Sequence, residues 1–459
     1  MKRKILYPLL YAVVMLGMMV TSCSKGDELL STIPANVSAV VKADVKGILE
    51  NSGCKFTAEG LTVPASMSDL ADEPLLKTIG KLDSEGVCSF SDVALVLDSR
   101  NRTICTFLVN DGSKFKEITS DFGWKEGEDG YEIGEIAGND ILTDGKQAWI
   151  VFNGDTYDAV KKLKEDAKDE PVTKLAGIKG ALESDNLVNA AFSGLNFGFT
   201  NNNTAQQETV WNVLTANVKD NKIVASSQSM KGDGETVEVK GMQPINPAVL
   251  AYIPASCNFV VAAGLTPEFD WKGVISALNP FIVRDFQMQG MVAMLTPFLQ
   301  ALDGTVILAA GPANDDAYTD MEPGNWQFVL MAHLPQEKIN QVMKMVRTAM
   351  FQAGISPTEE KDGVMVVPQY GMNFYIGNVD GYLAVSNLPF ENTRNNSLAP
   401  MFVNKEAAAT VEIPSLKAIS AGAPSFGVKL TINMEGSKGK AELSLPGSDK
   451  PILETILFL

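Results

Sequence analysis

Catalysis by an activated nucleophile or by metal-bound water needs particular side chains at particular spacings, and histidine is the first to locate. The chain of 459 residues has one, His333. A Ser-His-Asp or Cys-His constellation would have to pass through it, and a site built from several histidines is excluded. It follows the apolar run FVLMA and precedes Leu334 and Pro335, and proline suits the first turn of a helix. The expected role is therefore a strand-to-helix corner whose ring nitrogens make local hydrogen bonds. APSFG, Ala423 to Gly427, half-resembles the G-x-S-x-G nucleophile elbow, but alanine replaces the first glycine and no histidine follows, so it reads as a turn into the last strands. No phosphate-cradling glycine pattern stands between a strand and a helix, so no nucleotide cofactor is implied. No catalytic residue is assigned, and no cofactor.

Paired carboxylates are the remaining enzymatic option, because a glycosidase needs only two. With 55 Asp and Glu some pair is inevitable, but the tryptophans that would stack on sugar, Trp124, Trp149, Trp211, Trp271 and Trp326, are scattered. An Asp/Glu-dependent envelope hydrolase acting on glycan, with or without calcium, stands as the alternative. The weak metal candidates are Asp315, Asp316, Asp320 and Glu322 in the segment Asn314 to Asn325. Hard oxygen ligands at short spacing suit Ca²⁺, but the order that wraps an EF-hand ion is missing, so a solvated hairpin tip is expected. Met288, Met291 and Met294, with Met343 and Met350, read as core packing before they read as a binding groove. Lys161 to Glu170 reads as a solvated helix face.

The sharpest chemistry lies at the N-terminus. Lys2, Arg3 and Lys4 precede an apolar run from Ile5 to Val20, the layout of a signal peptide. Val20, Thr21 and Ser22 before Cys23 resemble a bacterial lipobox: small side chains admit the backbone to a peptidase, and only a thiol can form the thioether to diacylglycerol. Cys23 is thus the lipid-attachment residue, residues 1–22 the signal peptide and 23–30 a tether. Ser24, Lys25, Asp27 and Glu28 resemble the tag that carries such proteins to the outer membrane and its outer face, with a periplasm-facing orientation as the other possibility.

Lys2, Arg3 and Lys4 are the only charged residues of 1–22, so their removal takes the formal net charge from −17 to −20. That balance repels phosphate backbones, and no basic cluster interleaves with aromatics, so a nucleic-acid partner is disfavoured. Cys54, Cys88, Cys105 and Cys257 remain; four cysteines allow three full pairings, and buried thiols are equally open.

These residues must be positioned by a chain that is written twice. Ile-Pro-Ala followed by Val-Val occurs from Ile33 and again from Ile253, with Pro34 and Pro254 220 apart. SDVALVLD is echoed by DGTVILAA, TFLVNDGSKFKEI by VLMAHLPQEKINQV, DGKQAWIVFN by VDGYLAVSN, and NVKDNKIVASSQS by NMEGSKGKAELSL, in the same order. Collinear echoes with drifting offsets imply a duplicated unit with loop insertions. Short β-branched and aromatic runs separated by short helical pieces and tight turns predict an α+β class: two tandem similar units with mostly antiparallel sheets and short flanking helices, over 31–240 and 241–459.

The lipobox, the I-P-A opening and the DVALVLD strand resemble a domain-of-unknown-function family of envelope lipoproteins from gut-type Gram-negative bacteria. The resemblance implies the anchor and the two-part layout, and brings no catalytic residues. The expectation is a lipid-anchored envelope protein working by binding or assembly, with another envelope protein or a glycan as partner.

Overall fold

The computed structural model describes residues 26–57, 59–65, 73–193, 209–271, 296–313, 323–357, 359–361, 363–369, 371–391, 396–418 and 423–457. Cys23, Asp315, Asp316, Asp320, Glu322, Met288, Met291 and Met294 lie outside them. The chain divides into two compact units, one holding the described residues up to 193, 209–237 and 448–457, the other 238–447.

In the first unit the long strands are β1 (Ala39–Ala43), β2 (Cys88–Leu97), β3 (Thr103–Val109), β4 (Glu132–Ile136), β5 (Asn139–Thr143), β6 (Gln147–Val151), β7 (Val188–Ser193), β8 (Val210–Lys219) and β9 (Lys222–Lys231). They pair in the order β9-β8-β7-β1-β2-β3-β6-β5-β4, antiparallel throughout. The second unit has β10 (Phe259–Leu265), β11 (Thr305–Pro312), β12 (Trp326–His333), β13 (Val364–Gln369), β14 (Met372–Val379), β15 (Tyr382–Ser386), β16 (Ala407–Ile413), β17 (Val428–Glu435) and β18 (Lys438–Ser444). Their order is β18-β17-β16-β10-β11-β12-β15-β14-β13, again antiparallel. Each strand therefore has a counterpart nine places on, and the fold class is α+β.

The registers match residue by residue. Ala191, Val40, Val96, Ile104 and Val151 face one another across β7-β1-β2-β3-β6; Thr410, Val260, Ala309, Val329 and Ser386 do so across β16-β10-β11-β12-β15. All ten are buried. Because side chains alternate with a period of two, these rows define the core face of each sheet. Val40 and Val260 are separated by the same 220 residues as the two prolines.

Helices cover the sheets where polar caps and apolar stripes allow. Asp44 caps α2 (Val45–Asn51; α1 is Gly26–Leu30) by accepting from the Gly47 amide at 2.9 Å, and α3 (Glu73–Ser84) follows. Asp111 caps α4 (Gly112–Ile118) and Asp155 caps α5 (Thr156–Asp169). On α5, Ala159, Val160, Leu163 and Ala167 are buried, while Lys161 and Lys164 pair outward with Asp129 at 3.4 Å and Asp144 at 2.8 Å. Beyond α6 (Ala176–Leu182), the second unit has α7 (Gln336–Gln352), which buries Ile339, Met343 and Met350. The last helix, α8 (Ile452–Leu457), belongs to the first unit: the Ile452 amide donates to the Asn221 side chain at 2.6 Å in the β8–β9 turn, and Asn221 donates to the Lys450 carbonyl at 3.1 Å.

Candidate functional site

The most extensive candidate is a surface. In the second unit, the face of the sheet turned away from Val260 carries Ile432, Ala409, Val261, Leu308, Leu330, Val385 and Ile376, opposite one another across seven strands. Every one is apolar. Leu308 and Ile432 are 41% exposed, and Val261 and Leu330 are 37% exposed. A neighbouring row on the same face, Leu430, Val411, Phe259, Ala310 and Phe328, is apolar and only partly covered. The counterpart row of the first unit runs Leu214, Ala190, Val41, Leu95, Cys105, Ile150 and Ile141. There Ala190, Val41 and Ile141 are buried. Leu214 in that row is 37% exposed, so the two rows differ chiefly at Val41 and Val261, the first buried and the second 37% exposed.

Two polar clusters sit at one end of the sheets. In the second unit His333, at the end of β12, lies with Nδ1 2.7 Å from Asp303 Oδ1, just before β11. A carboxylate accepts, so Nδ1–H donates. The ring meets Tyr382 edge-on at 5.2 Å between centroids, and the Asn246 amide side chain donates to the Tyr382 hydroxyl at 3.0 Å. In the first unit the counterparts of His333, Tyr382 and Asp303 are Leu108, Gln147 and Phe90. A carboxylate-oriented imidazole can take or give a proton, or hold one ligand position of a metal. Among the described residues, however, no group of three or more His, Cys, Asp or Glu is placed to hold a metal ion.

The first unit has its own cluster at that end. Lys42 Nζ lies 3.1 Å from Asp92 Oδ1, and both residues are buried. Asp44 is also buried; enclosure raises its carboxyl to about 6, against hydrogen bonds from Gly47 and Ser91 that favour the charge, with Glu50 and Asp92 adding to the rise. Two carboxylates side by side are the geometry a hydrolase would use. Here Asp44 holds a helix cap, and Asp92 lies at ion-pair distance from Lys42 although its Oδ1 makes no hydrogen bond, so both carboxylates serve buried structural contacts. The second unit has Ala262, Gly264 and Thr305 at the positions of Lys42, Asp44 and Asp92.

His333 forms a strand-to-helix corner, as its neighbours imply, but its Asp303 partner stands 30 residues upstream and carries no motif. A lysine inside the buried strand AVVKA was the available sign of the other cluster, since a charge there demands a counter-ion. The five tryptophans are not gathered: Trp149 and Trp211 are core residues of the first unit, Trp124 packs on Phe115, and Trp271 packs on Phe269. No disulfide joins Cys54, Cys88, Cys105 or Cys257, and enclosure lifts the Cys88 and Cys105 thiols to about 12, which suits inert core groups. Among the described residues, no helix is long and apolar enough to cross a membrane.

No family model matches this sequence, and no curated protein sequence matches it. Among solved structures, the chain is similar to the one described as "Structure of crystal form I of TP0453", with 10% identity over 47% of this chain and 82% of that chain, at a TM-score of 0.27. A likeness of that degree says nothing further about either fold or function.

Proposed function

We propose that this is a lipid-anchored protein of the cell envelope, held at the outer membrane through Cys23, that works by binding or assembly with another envelope protein. The observation that supports it is the exposed apolar row through Val261, Leu308, Leu330 and Ile432. Exposed contiguous apolar surface on a soluble domain marks a place where something docks. Glycan is the poorer occupant, because sugar hydroxyls need donors and acceptors and these rows present none. A flat face of aliphatic and phenylalanine side chains suits a protein surface of the same kind.

The hydrolase reading has less support: Asp44 and Asp92, the adjoining carboxylates among the described residues of which one is raised, are buried, in a helix cap and an ion pair. The test is cross-linking on intact cells with the whole chain and with Leu308→Asp/Leu330→Asp. Loss of a specific cross-linked protein in the variant, at unchanged anchoring and thermal stability, is expected. Identical cross-links in both, or cleavage of a glycan library by a chain that captures nothing, sinks the proposal.

A further inference from the structure

The second half of α7 carries an arrangement that neither the core nor the apolar sheet row explains. Ile339, Met343 and Met350 face inward, into a cluster with Leu334, Met365 and Val367. Lys344, Met345, Arg347 and Phe351 lie on the rest of the circumference, and all are exposed. Phe351 is 86% exposed and Met345 is 42% exposed. Lys344, Arg347 and Phe351 follow i, i+3, i+7 spacing, so they form one stripe, with Met345 about a quarter turn away from Lys344. The helix holds Lys338, Lys344 and Arg347 against Glu337 alone, a net +2 in a chain whose formal charge is −17.

We propose that this half of α7 rests on an anionic phospholipid surface, with Phe351 entering the headgroup layer and Lys344 and Arg347 against the phosphates. Cations beside protruding apolar side chains are the composition of a helix that lies in the interface. The acidic balance of the whole chain does not oppose this: charges farther apart than about 8 Å are largely screened at physiological ionic strength, so the local sign decides. The contact is independent of the apolar sheet row and of acylation at Cys23. It gives a tethered chain a fixed side toward the membrane.

The experiment reconstitutes the full chain into vesicles of phosphatidylethanolamine with phosphatidylglycerol, comparing wild type with Phe351→Trp. Fluorescence is read as a difference, because the chain has five tryptophans of its own. The introduced indole is expected to shift to the blue and to be quenched by brominated acyl chains, less so in phosphatidylcholine vesicles. Adding Lys344→Gln and Arg347→Gln lowers the equilibrium constant for membrane contact about thirtyfold. An indole that stays open to aqueous acrylamide, with the same spectrum in every lipid, overturns the inference. If such a chain still floats with the vesicles, the N-terminal anchor stands alone. Quenching in a chain whose Cys23 carries no lipid by mass spectrometry does the reverse.

Discussion

Lys42 and Asp92 meet at 3.1 Å inside the first unit, both almost wholly withdrawn from water. Their counterparts in the second unit, Ala262 and Thr305, carry no charge. A buried ion pair contributes little net stability over an apolar replacement, but removing one partner strands the other. Asp92→Ala is expected to destabilise by about 3–5 kcal/mol. Lys42→Met/Asp92→Leu should fall within about 1 kcal/mol of wild type. Denaturant melts of the three chains check this, and additive single and double effects would refute it.

Asp44 makes the pH dependence of stability specific. Its ordinary value is 3.8, and enclosure raises it to about 6 in the fold. The folded state thus prefers the protonated acid, so this contribution is fully present below about 4 and is lost as pH rises through about 6. At about 1.4 kcal/mol per pKa unit, the loss is about 3 kcal/mol. Asn keeps the cap on the Gly47 amide without the charge. Asp44→Asn should therefore match wild type near pH 3.5 and exceed it by about 3 kcal/mol near pH 7. Parallel stability curves for the two chains would remove Asp44 from the account.

His333 and Asp303 are the half-exposed counterpart, with side chains 38% and 35% accessible. Water competes for both groups, so pairs of this kind contribute about 0–1 kcal/mol. Asp303→Ala and His333→Gln should each change the unfolding free energy by less than about 1 kcal/mol. A cost of several kcal/mol in either variant would mean that the pair is coupled to the packing of Tyr382.

What could be read from the sequence follows the range of the interactions involved. The short β-branched and aromatic runs between helical pieces and tight turns are local patterns, so the α+β class was legible from them. The Asp303 partner of His333 was not, because a contact across a sheet end leaves no spacing rule. The runs VVAAGL, TVILAAG and FVLMA are apolar almost throughout. The fold leaves Leu308 and Leu330 open, because an apolar run signals that something covers it without saying whether the cover is the same chain. The asymmetry between units was equally hidden: Val41 and Val261 occupy matching places in similar strings, and only packing by the surrounding chain buries one of them.

The proposed localisation depends on Cys23. Its reading rests on chemistry alone: a basic start, an apolar run too short to span a bilayer comfortably, small residues, and then the one side chain able to form a thioether. A single acyl chain gives reversible membrane binding, whereas several together hold firmly. Cys23→Ser should abolish incorporation of labelled palmitate and leave either unprocessed precursor or released protein. The mature wild-type chain should begin at Cys23 with the mass of its lipid. Palmitate labelling that survives the substitution would move the anchor elsewhere, and the outer-membrane placement with it.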